Sequence, residues 1–314
     1  MSGNGPDRPT LATIVLGGCM GCHLSLLDAH EALLDLLGEV DLVHSPLTCG
    51  DELPACDVLL VEGAVGSAED ERRLREARGR ATTLVALGTC AAHGGIAGLR
   101  NLSRLDDVLA TAYGDGAPAG EGVPALAERV RPLSAVVDVD LEVPGCSPNT
   151  ELVLHGVEAA LGRREPDARR RNLCAECERV HETMLHPSRE FVSDAVYALM
   201  ELEAIDPGRC FLEQGVLCMG PMTREGCGVR CAKANVPCRG CAGPSRREFE
   251  QGGKAIDALA AVLPAGAIMF LDDLIGTGYR FTLPVSILPG LLGSAGGEPA
   301  REDAEDAEGG GLVA

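Results

Sequence analysis

Residues 11–22 read LATIVLGGCMGC, an apolar, β-branched run that stops at two glycines and delivers two thiols three positions apart. An unbroken apolar run of this length predicts a strand buried on both faces, because a half-exposed strand would alternate with polar residues. The same grammar recurs along the chain. DVLLVEG at 57–63, TTLVALG at 82–88 and SAVVDVDLEVPG at 134–145 read as further strands. SLLDAHEALLDLLG at 25–38, EDERRLREARG at 69–79 and TELVLHGVEAALG at 150–162 carry helical patterns. Strands alternating with helices between Leu11 and Arg163 predict an α/β domain built on a doubly wound parallel sheet.

Composition narrows the partners. The chain has 314 residues, 46% of them apolar, enough to build a sizeable core. A net charge of -20 and an isoelectric point near 4.7 exclude the basic stripe that nucleic acid or an anionic membrane surface requires. The N-terminus MSGNGPDRPT lacks an apolar signal core and a twin-arginine address. The fourteen cysteines are therefore expected to be reduced, in a cytoplasmic protein. The longest apolar region, 255–293, is cut by Asp272, Asp273 and Arg280, so no integral membrane segment is expected.

Beyond the α/β part, GRREPDARRRNL at 162–173 has the charge and proline content of a linker. From Cys174 to Cys241 periodicity is scarce, apart from a helical pattern near Ser193–Leu202. The last stretch, GSAGGEPAREDAEDAEGGGLVA, is too acidic and too simple to offset its own ordering entropy. The expected organisation is a domain at 8–165, a cysteine-rich domain at 166–292 and a disordered tail at 293–314.

The cysteines fall in a pattern. Cys19 and Cys22 follow the first strand, Cys90 follows TTLVALG, and Cys146 follows SAVVDVDLEV. Ligands of open parallel sheets bind outside the carboxyl ends of the strands, so separate strand ends should bring four thiols to one place. Gly17, Gly18, Gly21, Gly88 and Gly145 allow the tight turns such a site needs. Four thiolates are the usual ligand set of a cubane iron–sulfur cluster. A four-thiolate zinc site and scattered buried thiols are the alternatives; structural zinc more often pairs two C-x-x-C knuckles, and here there is one. Eight more cysteines, Cys174, Cys177, Cys210, Cys218, Cys227, Cys231, Cys238 and Cys241, occupy 68 residues and suffice for two further sets. With so little apolar periodicity, metal–thiolate bonds would supply much of that segment's folding energy. Cys49 and Cys56 are expected to stay unligated. No G-x-G-x-x-G follows a strand, so a nucleotide or flavin would bind another subunit.

CMGCHLSLLDAHEALLDLL, LVEGAV, LGTCAAHGG, VPGCSPN and LEQGVLCMGPMTREGCGVRCAKANVPCRGCAGP together resemble the small, electron-transferring subunit of cytoplasmic nickel–iron hydrogenases, of the deazaflavin-reducing and methyl-viologen-reducing (non-deazaflavin) type. The resemblance spans about residues 10–290. It implies a flavodoxin-like domain followed by a small ferredoxin-like cluster domain, with three 4Fe–4S clusters. By position, Cys19, Cys22, Cys90 and Cys146 would hold the proximal cluster, nearest a nickel–iron site in a separate large subunit. Cys227, Cys231, Cys238 and Cys241 would hold the medial cluster, and Cys174, Cys177, Cys210 and Cys218 the distal one. Relatives lacking the thiol at Cys231 carry a three-iron cluster, so its presence implies a four-iron one. Glu62 would stand beside the proximal cluster, either near its iron or bonded to loop amides. His23 and His93 would donate to cluster sulfurs or sit as ordinary hydrogen-bonded histidines. The partners implied are the large subunit and an acceptor subunit carrying flavin or iron–sulfur, and the chain alone would not be catalytic. Three other readings stand beside this one: the small subunit of an NAD-reducing hydrogenase, which generally stops after one cluster domain, a zinc-stabilised interaction module, and the related cluster subunit of respiratory complex I, whose first cysteines are adjacent.

Overall fold

The computed structural model describes residues 8–47, 52–114, 116, 120, 122–167, 171–181, 205–214, 216–245, 250–262 and 273–287. Cys49, the helical pattern at 193–202 and the tail at 293–314 lie outside them. Seven strands form among the described residues: β1 (Thr10–Val15), β2 (Asp41–His44), β3 (Cys56–Glu62), β4 (Val65–Ser67), β5 (Ala81–Leu87), β6 (Leu126–Arg131) and β7 (Leu141–Val143). Five of them make one parallel sheet in the order β2-β1-β3-β5-β7, while β4 and β6 form a separate antiparallel ribbon. Counting the sheet's own strands, this is the 2-1-3-4-5 order of a flavodoxin-like doubly wound fold.

Burial on both faces explains the unbroken apolar runs. Along β3, Leu59 and Val61 join one core with Ile14, Leu74 and Leu84. Val58 and Leu60 join the other, with Leu36, Val85, Val153 and Val157. Leu74 comes from α3 (Ala68–Arg78), Leu36 from α2 (Glu31–Glu39), and Val153 and Val157 from α6 (Thr150–Ala160), so helices cover both sides. α3 begins on a Ser67 side chain that accepts from the Asp70 amide, and α6 on an Asn149 side chain that accepts from the Leu152 amide.

Two local expectations are corrected. SLLDAHEALLDLLG is two helices, α1 (Gly21–Leu27) and α2, separated at His30 by a positive φ of 48°. SAVVDVDLEV is mostly irregular: Leu133–Ala135 is a 3-10 turn and only Leu141–Val143 pairs with β5. The Asp140 carboxylate accepts the Leu84 amide at 2.7 Å while its own amide donates to the Leu84 carbonyl at 3.1 Å, so a side chain takes a place in the ladder. The ribbon, β2 and helix α5 (Leu105–Tyr113) carry no sequence expectation.

Register then positions the site. Val15 pairs with Glu62, Glu62 with Leu87, and Leu87 with Val143. Four neighbouring strands thus end in one row, and the chain leaving β1, β5 and β7 carries its cysteines out at a single edge. Helix α4 (Gly88–His93) starts directly at that edge with Cys90 in its first turns.

The cysteine-rich part has its own small core. Leu173, Leu212, Leu217, Met219, Met222, Val229, Ala255 and Leu259 are buried together, with Cys177, Cys210, Cys218 and Cys227 packed against them. The expectation that metal–thiolate bonds supply much of this segment's folding energy is thereby modified, because apolar side chains are packed among the sulfurs as well. Helices Arg230–Lys233, Gln251–Val262 and Leu274–Gly278 frame this part. The closing 3-10 turn Leu283–Val285 returns to the first domain and seats Pro284 on Gly94 and Gly98.

Candidate functional site

Cys19 and Cys22 leave β1, Cys90 leaves β5 and Cys146 leaves β7, and their sulfurs face one another. Burial lifts the Cys22 thiol far above the ordinary range, and Glu62, Cys90, Cys146 and Cys19 add to the lift. Cys146 is pushed up to about 11 by burial first, then by Cys90, Cys241, Cys19 and Glu62. Cys90 is also raised by burial, while the backbone amides of Ile96 and Ala97 pull it back by donating to its sulfur. Four sulfurs that repel one another as thiolates are a set that positive charge at the centre would stabilise.

The walls leave room only for sulfur. Gly88 has φ +85° and a Cβ there would run into the Cys22 sulfur; at Gly95, with φ +55°, a Cβ would lie 2.5 Å from the Cys90 sulfur. Cys19 and Cys146 are exposed at the mouth, Cys22 is buried and Cys90 is half-buried. Among the described residues no three His, Cys, Asp or Glu side chains form a group for a single metal ion. A cubane spreads its thiolates over four separate irons, so its ligands stand wider apart than four around one zinc. Soft thiolates, amide donors to sulfur and glycine-lined walls fit an iron–sulfur cluster.

Glu62 ends β3 beneath this set, 2% exposed. Its Oε2 accepts from the His23 amide at 3.0 Å and meets His23 Nδ1 at 2.6 Å. Burial alone would raise the carboxyl, but the His23 side-chain and backbone hydrogen bonds outweigh it and hold Glu62 below the usual glutamate range. Glu62 is therefore a carboxylate. The His23 Nε2 is buried and has no hydrogen-bond partner among the described residues.

The other eight cysteines also neighbour one another. Cys174 is pushed up to about 12 by burial and then by Cys218, Cys210 and Cys177. Cys231 is raised by burial and then by Cys227, and Cys241 by burial, with Cys227 and Cys231 adding to it. Cys238 is raised by burial first, then by Cys218 and Cys241. Backbone amides again aim at sulfur: Gly240 donates to Cys238 at 3.4 Å, and Gly220 and Cys238 oppose the burial that pushes Cys218 up to about 11. Cys146 lies near Cys241, and Cys238 lies near both Cys218 and Cys241.

A family model described as the 20 Kd subunit of NADH ubiquinone oxidoreductase matches residues 19–160 and stops before the cysteine-rich part. A relative from Methanothermobacter marburgensis, one of the subunits of an F420-non-reducing hydrogenase, is 39% identical over 303 residues, covering 90% of this chain and 97% of its own. This chain belongs to that hydrogenase small-subunit family. Another relative, the iron-sulfur subunit of the F420-non-reducing hydrogenase of Archaeoglobus profundus, is 31% identical over 88% of this chain and 97% of its own. The delta subunit of the NAD-reducing hydrogenase HoxS of Cupriavidus necator is 35% identical, over only 53% of this chain and 85% of its own.

Within this hydrogenase small subunit, Cys19, Cys22, Cys90 and Cys146 are neighbours with Glu62 beside them, Cys174, Cys177, Cys210 and Cys218 are neighbours, Cys227, Cys231 and Cys241 are neighbours, and Cys238 adjoins both Cys218 and Cys241. His93 is different. It packs against Gly243, and burial lowers its basicity to about 4, so it is a neutral joint between the two parts. Gly94 is buried under Pro284. Cys56 is buried in the first core, and burial followed by Asp57 pushes its thiol up to about 11. Sequence reasoning missed Thr89 and Asn149. Asn149 caps α6 and its Nδ2 donates to the Gly226 carbonyl at 3.2 Å, next to Cys227. Thr89's position between a strand end and Cys90 was the only available signal; the amide donors carry none, because any residue supplies one.

Proposed function

We propose that the chain is the electron relay of a nickel–iron hydrogenase, holding three 4Fe–4S clusters between a large subunit with the nickel–iron site and an acceptor subunit with flavin or iron–sulfur. The observation that supports this reading is that Cys146 neighbours Cys241 and Cys238 neighbours Cys218, which suits a series of Cys19, Cys22, Cys90 and Cys146, then Cys227, Cys231, Cys238 and Cys241, then Cys174, Cys177, Cys210 and Cys218. We assign these as proximal, medial and distal sites, and read 8–165, 166–292 and 293–314 as two domains and a tail of a cytoplasmic protein. Among the described residues no helix is long and apolar enough to cross a membrane. The NAD-reducing relative matches only 53% of this chain, which disfavours that alternative.

Such clusters supply one-electron transfer without bond making. The chain's residues hold them: twelve thiolates bind, the amides of Ile96, Ala97, Gly220 and Gly240 stabilise sulfur charge, and the surrounding core excludes water. Splitting hydrogen needs a metal with an open position, and four thiolates per set leave none, so that chemistry belongs to the large subunit. Anaerobically purified chain should contain about twelve iron and about twelve acid-labile sulfide, with little zinc, and should not reduce viologen with hydrogen by itself. Stoichiometric zinc without sulfide would reject the reading.

A further inference from the structure

The two halves of the relay meet at a joint made by one hydroxyl. Thr89, 1% exposed, lies beside Cys90. Its Oγ1 donates to the Cys241 carbonyl at 2.5 Å and accepts from the Gly145 amide at 2.8 Å, while its own amide donates to the Gly145 carbonyl at 3.0 Å. Gly145 precedes Cys146. One side chain therefore fixes the carbonyl of a cysteine in the second set against the loop that carries a cysteine of the first. Across the same joint the Cys146 backbone amide lies toward the Cys241 sulfur and opposes the burial that raises its thiol. The second junction repeats the device, with the Cys238 amide presented to the Cys218 sulfur.

We infer that Thr89 is a positioning residue for the electron step between the first and second clusters, by holding the Cys146 amide on the Cys241 thiolate. With a cluster held at each site, the route would run from the Cys146 Sγ through that cysteine's Cβ, Cα and N–H to the sulfur of Cys241. The electron given up on one side is the electron taken up on the other, in either direction, and no proton or further reactant takes part. An amide donor to a thiolate also favours the reduced, more negative state, so the cluster bound through Cys241 gains reduction potential from the same contact.

This rests on the cluster assignment above, and the test separates the two. In the anaerobically purified complex, Thr89→Val and Thr89→Ser are compared with the parent by iron and sulfide content, redox titration and electron paramagnetic resonance of the fully reduced state. Thr89→Val removes the donor without changing size. It should keep its iron, lower the potential of the cluster bound through Cys241, and weaken the spin–spin splitting between that cluster and the one bound through Cys146. Thr89→Ser restores the hydroxyl and should recover both signals. Unchanged potential and splitting in Thr89→Val would overturn the inference. So would loss of iron in Thr89→Val with retention in Thr89→Ser, which would make Thr89 an assembly residue only. Parent protein without labile sulfide would instead reject the cluster reading itself.

Discussion

At the scale of single residues, the pair His23 and Glu62 is the most exposed to mutation, because both side chains are 2% accessible and share one short contact. Removing the imidazole leaves a buried carboxylate with backbone amides as its partners, and losing one side of a buried pair costs about 3–5 kcal/mol in comparable settings. His23→Ala should therefore lower the urea midpoint of the cluster-loaded chain, followed by loss of its visible absorption. The double variant His23→Ala with Glu62→Gln should recover part of that loss, since the buried charge is then removed as well; equal loss in both would show that the pair is not the cause. Gly88→Ala fails differently. The added methyl meets the Cys22 sulfur and must adopt φ +85°, a conformation that side chains other than glycine's rarely take. Iron analysis should find about eight of twelve irons retained, with only the first site lost. Sequence alone made the cysteines and Gly88 legible, because a thiol after a strand end has a reason to be there. The carboxylate–imidazole pair was half legible: Glu62 was placed, but its partner depends on the turn into α1, which no local pattern records.

Helices and strands were legible where their pattern reports burial and illegible where it does not. The buried positions Cys22, Leu26, Ala29 and Leu36, with Leu33 partly buried, keep three- and four-residue spacing across the break between α1 and α2, so the apolar period runs straight through it. Only the backbone at His30 ends the first helix, and neither Gly nor Pro announces it. That position carries φ 48° and ψ −120°, which strains any residue with a Cβ. His30 is exposed, so His30→Gly should relieve strain without opening a cavity and stabilise the chain by about 1 kcal/mol, seen as a raised thermal midpoint. A lowered midpoint would mean the histidine makes up the difference through its own contacts. The segment 134–140 misled in the opposite sense: Val136, Val137 and Val139 are partly buried against the first core, so they read as strand, yet they do so without ladder pairing.

For the molecule as a whole, the mouth of the first site is where a large subunit would dock. Cys19, Cys146 and Ser147 are exposed there, and Leu24 on α1 beside them is 55% exposed. Ser147→Arg and Leu24→Arg should each prevent co-purification with the large subunit while iron content stays full. Arg73→Glu, on the outer face of α3, should leave the complex intact. An intact complex in all three would place the interface elsewhere. The shift in composition near residue 162 suggests two domains, but the contacts between the N-terminal and cysteine-rich parts leave no mark in the sequence, because they run between residues far apart in the chain, as from Thr89 to Cys241. Pro284 is the last of these. It sits on Gly94 and Gly98, so the loop that follows Cys90 is clamped by a segment that leaves the ribosome after every cysteine of the chain has emerged. During synthesis that loop therefore waits for its clasp until the C-terminal segment has emerged, so the order in which the chain is made is also the order in which this part of the site can be locked.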